Sequence, residues 1–232
     1  MEETGIKRDR HFGRSFLKIT AMLSMLCDHI AFVLIPAAGY PSLYYIMRAV
    51  GRIAFPLFCF MLVEGFIYTH NREKYIIRLT IFAVISEIPF DLSAGGSVLC
   101  WDRQNVMWTL LIGFIVMYII DKPGEAYIAR ILAIFGGGAA AYFIRTDYSA
   151  FGVFIIVVLY ICRYNRKAGM VIMGILILLQ NSIEIYAILS IPIILNYSPD
   201  KNNVHLPKYF FYVFYPAHLL VLYIIRCYTG YI

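Results

Sequence analysis

From Leu17 onward the chain is a succession of long apolar stretches divided by short polar turns. Nine of these stretches are candidates to cross a hydrocarbon layer about 30 Å thick, a distance that takes about 20 helical residues. They run over 17–36, 43–68, 74–92, 106–121, 126–144, 149–162, 168–181, 183–196 and 209–227. The sixth, seventh and eighth are short, so eight crossings would also fit. The expected fold class is all-α, a polytopic membrane bundle. Its first span, LKITAMLSMLCDHIAFVLIP, is apolar almost throughout and carries Asp28 and His29 near its middle.

Composition points the same way. With 61% hydrophobic and 15% charged residues in 232, no soluble domain of this size would hide its apolar surface. Residues 1–16 form a basic segment, and 17–232 a single transmembrane domain. The stretch Met1 to Arg14 lacks the apolar core and cleavage site of a signal peptide, so the first span is expected to stay as an anchor. The net charge of +6 would suit nucleic acid, but its distribution argues for membrane topology. With the N-terminus cytoplasmic, inside segments carry fourteen Lys and Arg and outside segments only Arg103, Arg145 and Arg226. The expected location is the cell membrane with many passes, and the expected partners include lipid and exclude nucleic acid. The 19 Tyr and 17 Phe suit interfacial belts better than base stacking.

Charge at bilayer depth costs about 2.5–3.5 kcal/mol on insertion scales, so it marks a packed or water-filled interior. The second span holds Arg48 and Arg52 on one helix face, with Pro56 unable to donate to the Arg52 carbonyl, which predicts a kink. Arg48 reads as snorkelling to the outer interface and Arg52, deeper, as functional. The third span holds Glu87 and Asp91 one turn apart around Pro89. At about 1.5 Å per residue, His29, Arg52 and Glu87 fall in one layer slightly toward the outside. His29 can exchange a proton near neutrality, and Glu87 or Asp91 is expected to orient it, since Asp28 points about 100° away around the helix. His218 lies about 14 Å into the last span, beside Pro216.

Other features carry less. GGGAAA at Gly136 to Ala141 reads as a close helix contact. His11 and His205 sit in polar segments. No HExxH or CxxC pattern occurs, so no metal is expected. Of five cysteines, Cys100 and Cys227 face the outside, where a disulfide between them is a hypothesis.

MLCDHI, GRIAFPLFCFMLVEGF, THNREKYIIRL, ISEIPFD, NVMWTLLIG and KYFFYVFYPAHLL, in this order across almost the whole chain, resemble the TraX family. The resemblance implies an integral-membrane acetyltransferase, of a family named for acetylation of conjugative pilin, that uses cytosolic acetyl-CoA as donor. It points to Asp28, His29, Arg52, Glu64, Glu87, Asp91, Asn105 and His218, with Tyr148 and Gly152 of DYSAFG. The expected mechanism places the CoA phosphates near the basic turn of His70, Arg72, Lys74 and Arg78, with Glu64 and His218 also assigned to the donor site. An amine or hydroxyl acceptor arrives from the outer face. His29 is the general base of a ternary complex, and Arg52 or Asn105 stabilises the oxyanion. The alternative is a proton-coupled small-solute transporter using the same buried Asp, His, Arg and Glu layer.

Overall fold

The computed structural model describes residues 12–36, 38–95, 97–180, 182–199 and 209–230. Expectations that fall on His11, Lys201, His205, Lys208 and most of the N-terminal segment lie outside these residues. The chain forms α1 (Arg14–Leu34), α2 (Pro41–Gly51), α3 (Ala54–Tyr68), α4 (Arg72–Gly95), α5 (Val106–Ile120), α6 (Tyr127–Phe143), α7 (Ser149–Ile161) and α8 (Arg166–Leu178). A 3-10 helix (Ser182–Leu189), α9 (Ser190–Leu195) and α10 (Phe210–Thr229) complete it. The α2 and α3 helices are halves of one span, and the 3-10 helix runs directly into α9. Each predicted span therefore corresponds to one helical segment, and the protein is a helical membrane bundle.

Local chemistry sets the boundaries. The α1 helix stops just before Pro36, which disfavours helical geometry in the residue ahead of it. Asn105 caps α5 by accepting from the Met107 N–H at 2.9 Å, and Asn165 caps α8 by accepting from the Ala168 N–H at 3.2 Å. The α2–α3 span breaks at Arg52 and Ile53, where the missing N–H of Pro56 leaves the Arg52 carbonyl without its helical donor.

Contacts between helix ends show which ends lie together. Phe12 bridges to Tyr197, Arg72 pairs with Asp121 at 2.6 Å, and Arg166 donates to the Tyr197 carbonyl at 2.9 Å. At the opposite end Gln104 bridges to Thr146, and Arg226 donates to the Ser93 carbonyl at 3.3 Å. Every one of these links joins ends that the charge distribution assigns to the same side. The end holding Arg14 is called inner below and the other outer.

The α3, α5 and α7 helices are apolar around most of their circumference and fill the centre, with Leu57, Cys59, Phe66, Phe114, Met117, Val153 and Ile156 inaccessible. The rim helices expose apolar rows instead, such as Ile128, Leu132 and Phe135 on α6 and Val171, Ile175 and Leu178 on α8. An apolar belt of this kind requires lipid rather than water as its solvent. Within GGGAAA, a Cβ on Gly137 would collide with Val116 of α5, and one on Gly138 would press on Phe154 of α7. These two glycines let α6 pack closely against both neighbours, whereas Gly136 faces open space.

The hypothesised Cys100–Cys227 disulfide is absent: both residues are free thiols. The Cys100 Sγ lies 3.7 Å from Asp102 in the same loop. At the inner end the Asp121 carboxylate accepts from the Tyr160 hydroxyl and pairs with the Arg72 guanidinium.

Candidate active site

The helix break determines what lies around it. Arg52 leaves the end of α2 and extends into the bundle, where it is 6% exposed. Its Nη2 donates to Asp28 at 2.5 Å and its Nη1 to Glu184 at 3.0 Å. Weaker contacts run from Nη1 to the Tyr148 hydroxyl at 3.4 Å and from Nε to the Arg48 carbonyl at 3.3 Å. Arg48 does not snorkel outward as expected; it donates to the other Asp28 oxygen at 2.5 Å, because that buried carboxylate needs a cationic partner. Two backbone carbonyls just before the break gain a side-chain donor. Ser24 donates to the Val50 carbonyl at 2.6 Å and to the Gly51 carbonyl at 3.3 Å.

Gly51 matters because a Cβ there would overlap the Asp28 side chain. Only glycine lets α2 approach α1 closely enough for both arginines to reach Asp28. Gly51→Ala is expected to cost about 1–3 kcal/mol by overpacking, read as a lower thermal midpoint in detergent.

Beside this cluster His29 meets His218, not a carboxylate. Their Nδ1 and Nε2 atoms are 2.6 Å apart and the rings stack at 4.9 Å. His218 Nδ1 donates to the Phe214 carbonyl at 2.7 Å, so the proton of neutral His218 sits on Nδ1 and its Nε2 is an acceptor. His29 therefore donates through Nδ1, leaving its own Nε2 with a free lone pair. His218 is buried and His29 only partly so. The pairing arises because His218 projects from α10, which packs against α1, while Pro216 interrupts the helix two residues before it.

One cavity reaches this pair through His29, and a second lies on its inner side. The outer one, about 30 Å³, is lined by Asp28, His29, Arg48, Arg52, Arg103 and Asp147, with Phe90 and Ser93 behind them. Arg103 pairs with Asp147, and Arg145 with Asp102 at 3.5 Å, so two reciprocal ion pairs join the loops at its mouth. Arg145 sits there at a φ of 61°, a left-handed conformation uncommon for a side-chain-bearing residue. The inner cavity, about 450 Å³, is bounded by α1, α3, α4, α5 and α10. Arg14, Lys18 and Arg78 line it, each over an aromatic ring, respectively Tyr68, Phe211 and Tyr75. The Arg78 Nε–H is buried without an acceptor among the described residues. Tyr212 at its upper wall lies about 9 Å below His218 along α10.

Several predicted site residues are placed elsewhere. Glu87 accepts from the Asn105 side chain at 2.5 Å and from Trp108 Nε1 at 2.6 Å, and Asp91 accepts from the Cys100 N–H at 2.8 Å. Neither orients His29; both fasten α4 to the chain leading into α5. Asn105 cannot supply an oxyanion donor, because its amide hydrogens are committed to the Ala83 carbonyl and Glu87. The basic turn is not one patch. Arg78 faces the inner cavity, His70 and Arg72 line a separate surface recess, and Lys74 is exposed. Glu64 lies in a small inner recess with Arg163 and Arg166. Glu184, Asp147, Arg14 and Lys18 were not singled out from the sequence; their charges stand at the ends of spans, where topology alone accounts for them.

No solved structure matches this chain. A relative from Dichelobacter nodosus, named probable fimbrial assembly protein FimC, serogroup H1, is 28% identical over 243 residues, covering 94% of this chain and 97% of its own. The TraX protein family matches residues 13–226, which include the ion cluster, both histidines and the lining of both cavities. The protein belongs to the TraX family.

Proposed function

We propose that this protein is a multi-pass acetyltransferase of the cell membrane, its N-terminus cytoplasmic, that moves an acetyl group from cytosolic acetyl-CoA to an amine or hydroxyl acceptor on the outer side. The observation that carries this reading is the His29–His218 pair, which stands between a cationic inner cavity and a small polar outer one. In the inner cavity Arg14, Lys18 and Arg78 meet the donor's phosphates, and the aromatic walls hold its arm as it passes Tyr212 toward the pair. His29 Nε2 takes the proton of the acceptor as its oxygen or nitrogen attacks the thioester carbon. The carbonyl oxygen gains negative charge beside the one Arg52 N–H left unengaged among the described residues. The C–S bond then breaks, and His29 returns the proton to the CoA thiolate.

The test is release of CoA thiol from acetyl-CoA by the protein in lipid nanodiscs with a panel of amines and alcohols. Acceptor-dependent release is expected. Lys18→Gln and Arg78→Gln should each raise the KM for acetyl-CoA about tenfold, the value of ~1.4 kcal/mol for a lost charge-assisted contact. Failure of acetyl-CoA to bind or react under any condition would move the transporter reading ahead.

A further inference from the structure

We infer that the outer cavity selects acceptors carrying an anionic group, a carboxylate or a phosphoryl oxygen, next to the nucleophilic amine or hydroxyl. This rests on the acyl-transfer reading of His29 and narrows its acceptor. Each carboxylate lining the cavity already holds a guanidinium: Asp28 holds Arg48 and Arg52, and Asp147 holds Arg103. Neither carboxylate of the lining lacks a cationic partner. The guanidinia, in contrast, are under-used. Arg48 engages one of its five N–H groups with Asp28, its side chain is 15% exposed, and it borders the cavity. Arg103, also on the lining, donates to Asp147 and keeps further N–H groups.

A cavity bordered by guanidinium donors in excess, with each of its carboxylates already ion-paired, favours anions; bidentate capture of a carboxylate or phosphate is what this side chain does best. The size agrees. About 30 Å³ has room for two or three water-sized groups at ~10–15 Å³ each, enough for the oxygens of one such anion. His29 lines the same cavity, so an anion held by Arg48 and Arg103 brings the neighbouring nucleophile to the free Nε2 lone pair.

The experiment compares matched soluble probes on the full chain in nanodiscs: glycine with glycinamide, and O-phosphoethanolamine with ethanolamine. Binding is read by calorimetry and transfer by CoA thiol release. The anionic member of each pair is expected to bind about tenfold more tightly. Arg48→Gln should remove most of that preference. Arg103→Gln, on the exposed loop and away from the Asp28 pairs, should weaken it even if Arg48→Gln fails to fold. A further arm distinguishes lipid from soluble acceptors. Nanodiscs containing phosphatidylethanolamine are incubated with acetyl-CoA, and N-acetylated lipid found by mass spectrometry assigns the anion to a head group, whereas acetylation of the soluble probe alone assigns it to a solute. Equal binding within both pairs, or a preference that survives both substitutions, overturns the inference. Preferential binding without thiol release from any probe removes the transfer reading and leaves the anion selectivity, and transfer without preference does the reverse.

Discussion

With His29 replaced by alanine, acetyl transfer is expected to fall by about 10²–10⁴-fold, the range that a positioned general base contributes. Acetyl-CoA should still bind, because no residue of the inner cavity is altered. The partner ring sharpens the prediction. His218→Phe keeps an aromatic ring against Phe214 and removes the acceptor for His29 Nδ1–H, so the His29 tautomer is no longer held and kcat should drop while KM changes little. His218→Gln can donate to the Phe214 carbonyl and accept from His29 at once, so it should retain more activity than His218→Phe. Steady-state kinetics of the three variants would decide the matter. Equal activity of His218→Phe and wild type would mean that the pair is only a packing contact.

Arg52→Met is expected to destabilise the bundle by about 3–5 kcal/mol, the cost of breaking a buried ion pair from one side. The reason lies in what remains. Asp28 would keep Arg48, but Glu184 would have no cation among the described residues, and both carboxylates would stay buried. Thermal unfolding in detergent measures the loss. Arg52→Met combined with Glu184→Met should recover part of it, since replacing both partners by apolar groups of similar volume is often close to neutral. A single variant as stable as the wild type would show that the cluster does not hold the fold.

Much of this architecture is legible in the residues because a hydrocarbon layer imposes a length on every crossing, and the polar turns mark where each one ends. Arg52 stood out because a guanidinium at that depth needs a partner, and the kink could be read from Pro56. What escaped was azimuth. Depth counting puts Glu87, Arg52 and His29 in one layer, yet says nothing about which way each side chain turns. Glu87 turns to Asn105 and Trp108, and the ring that reaches His29 comes from the far end of the chain. Glu184 was hidden for another reason. It stands one residue into its span, where a charge is unremarked, and the 3-10 winding that carries it to Arg52 has no compositional signature. Arg14 and Lys18 were likewise absorbed into the topology count, though they line the inner cavity.

The paired loops at the outer mouth have a consequence for how the medium acts on the protein. Arg145 and Asp102 are mostly exposed, at 63% and 88% of their side-chain surfaces, and Arg103 is half-exposed, so ions can reach these pairs freely. Attraction between such charges is screened over about 8 Å at physiological ionic strength and over about 3 Å at 1 M salt. The Asp28, Arg52 and Glu184 group lies out of reach of that screening. Added salt should therefore loosen the mouth while the interior holds, so that entry to the cavity, but not the stability of the bundle, follows the ionic strength of the medium.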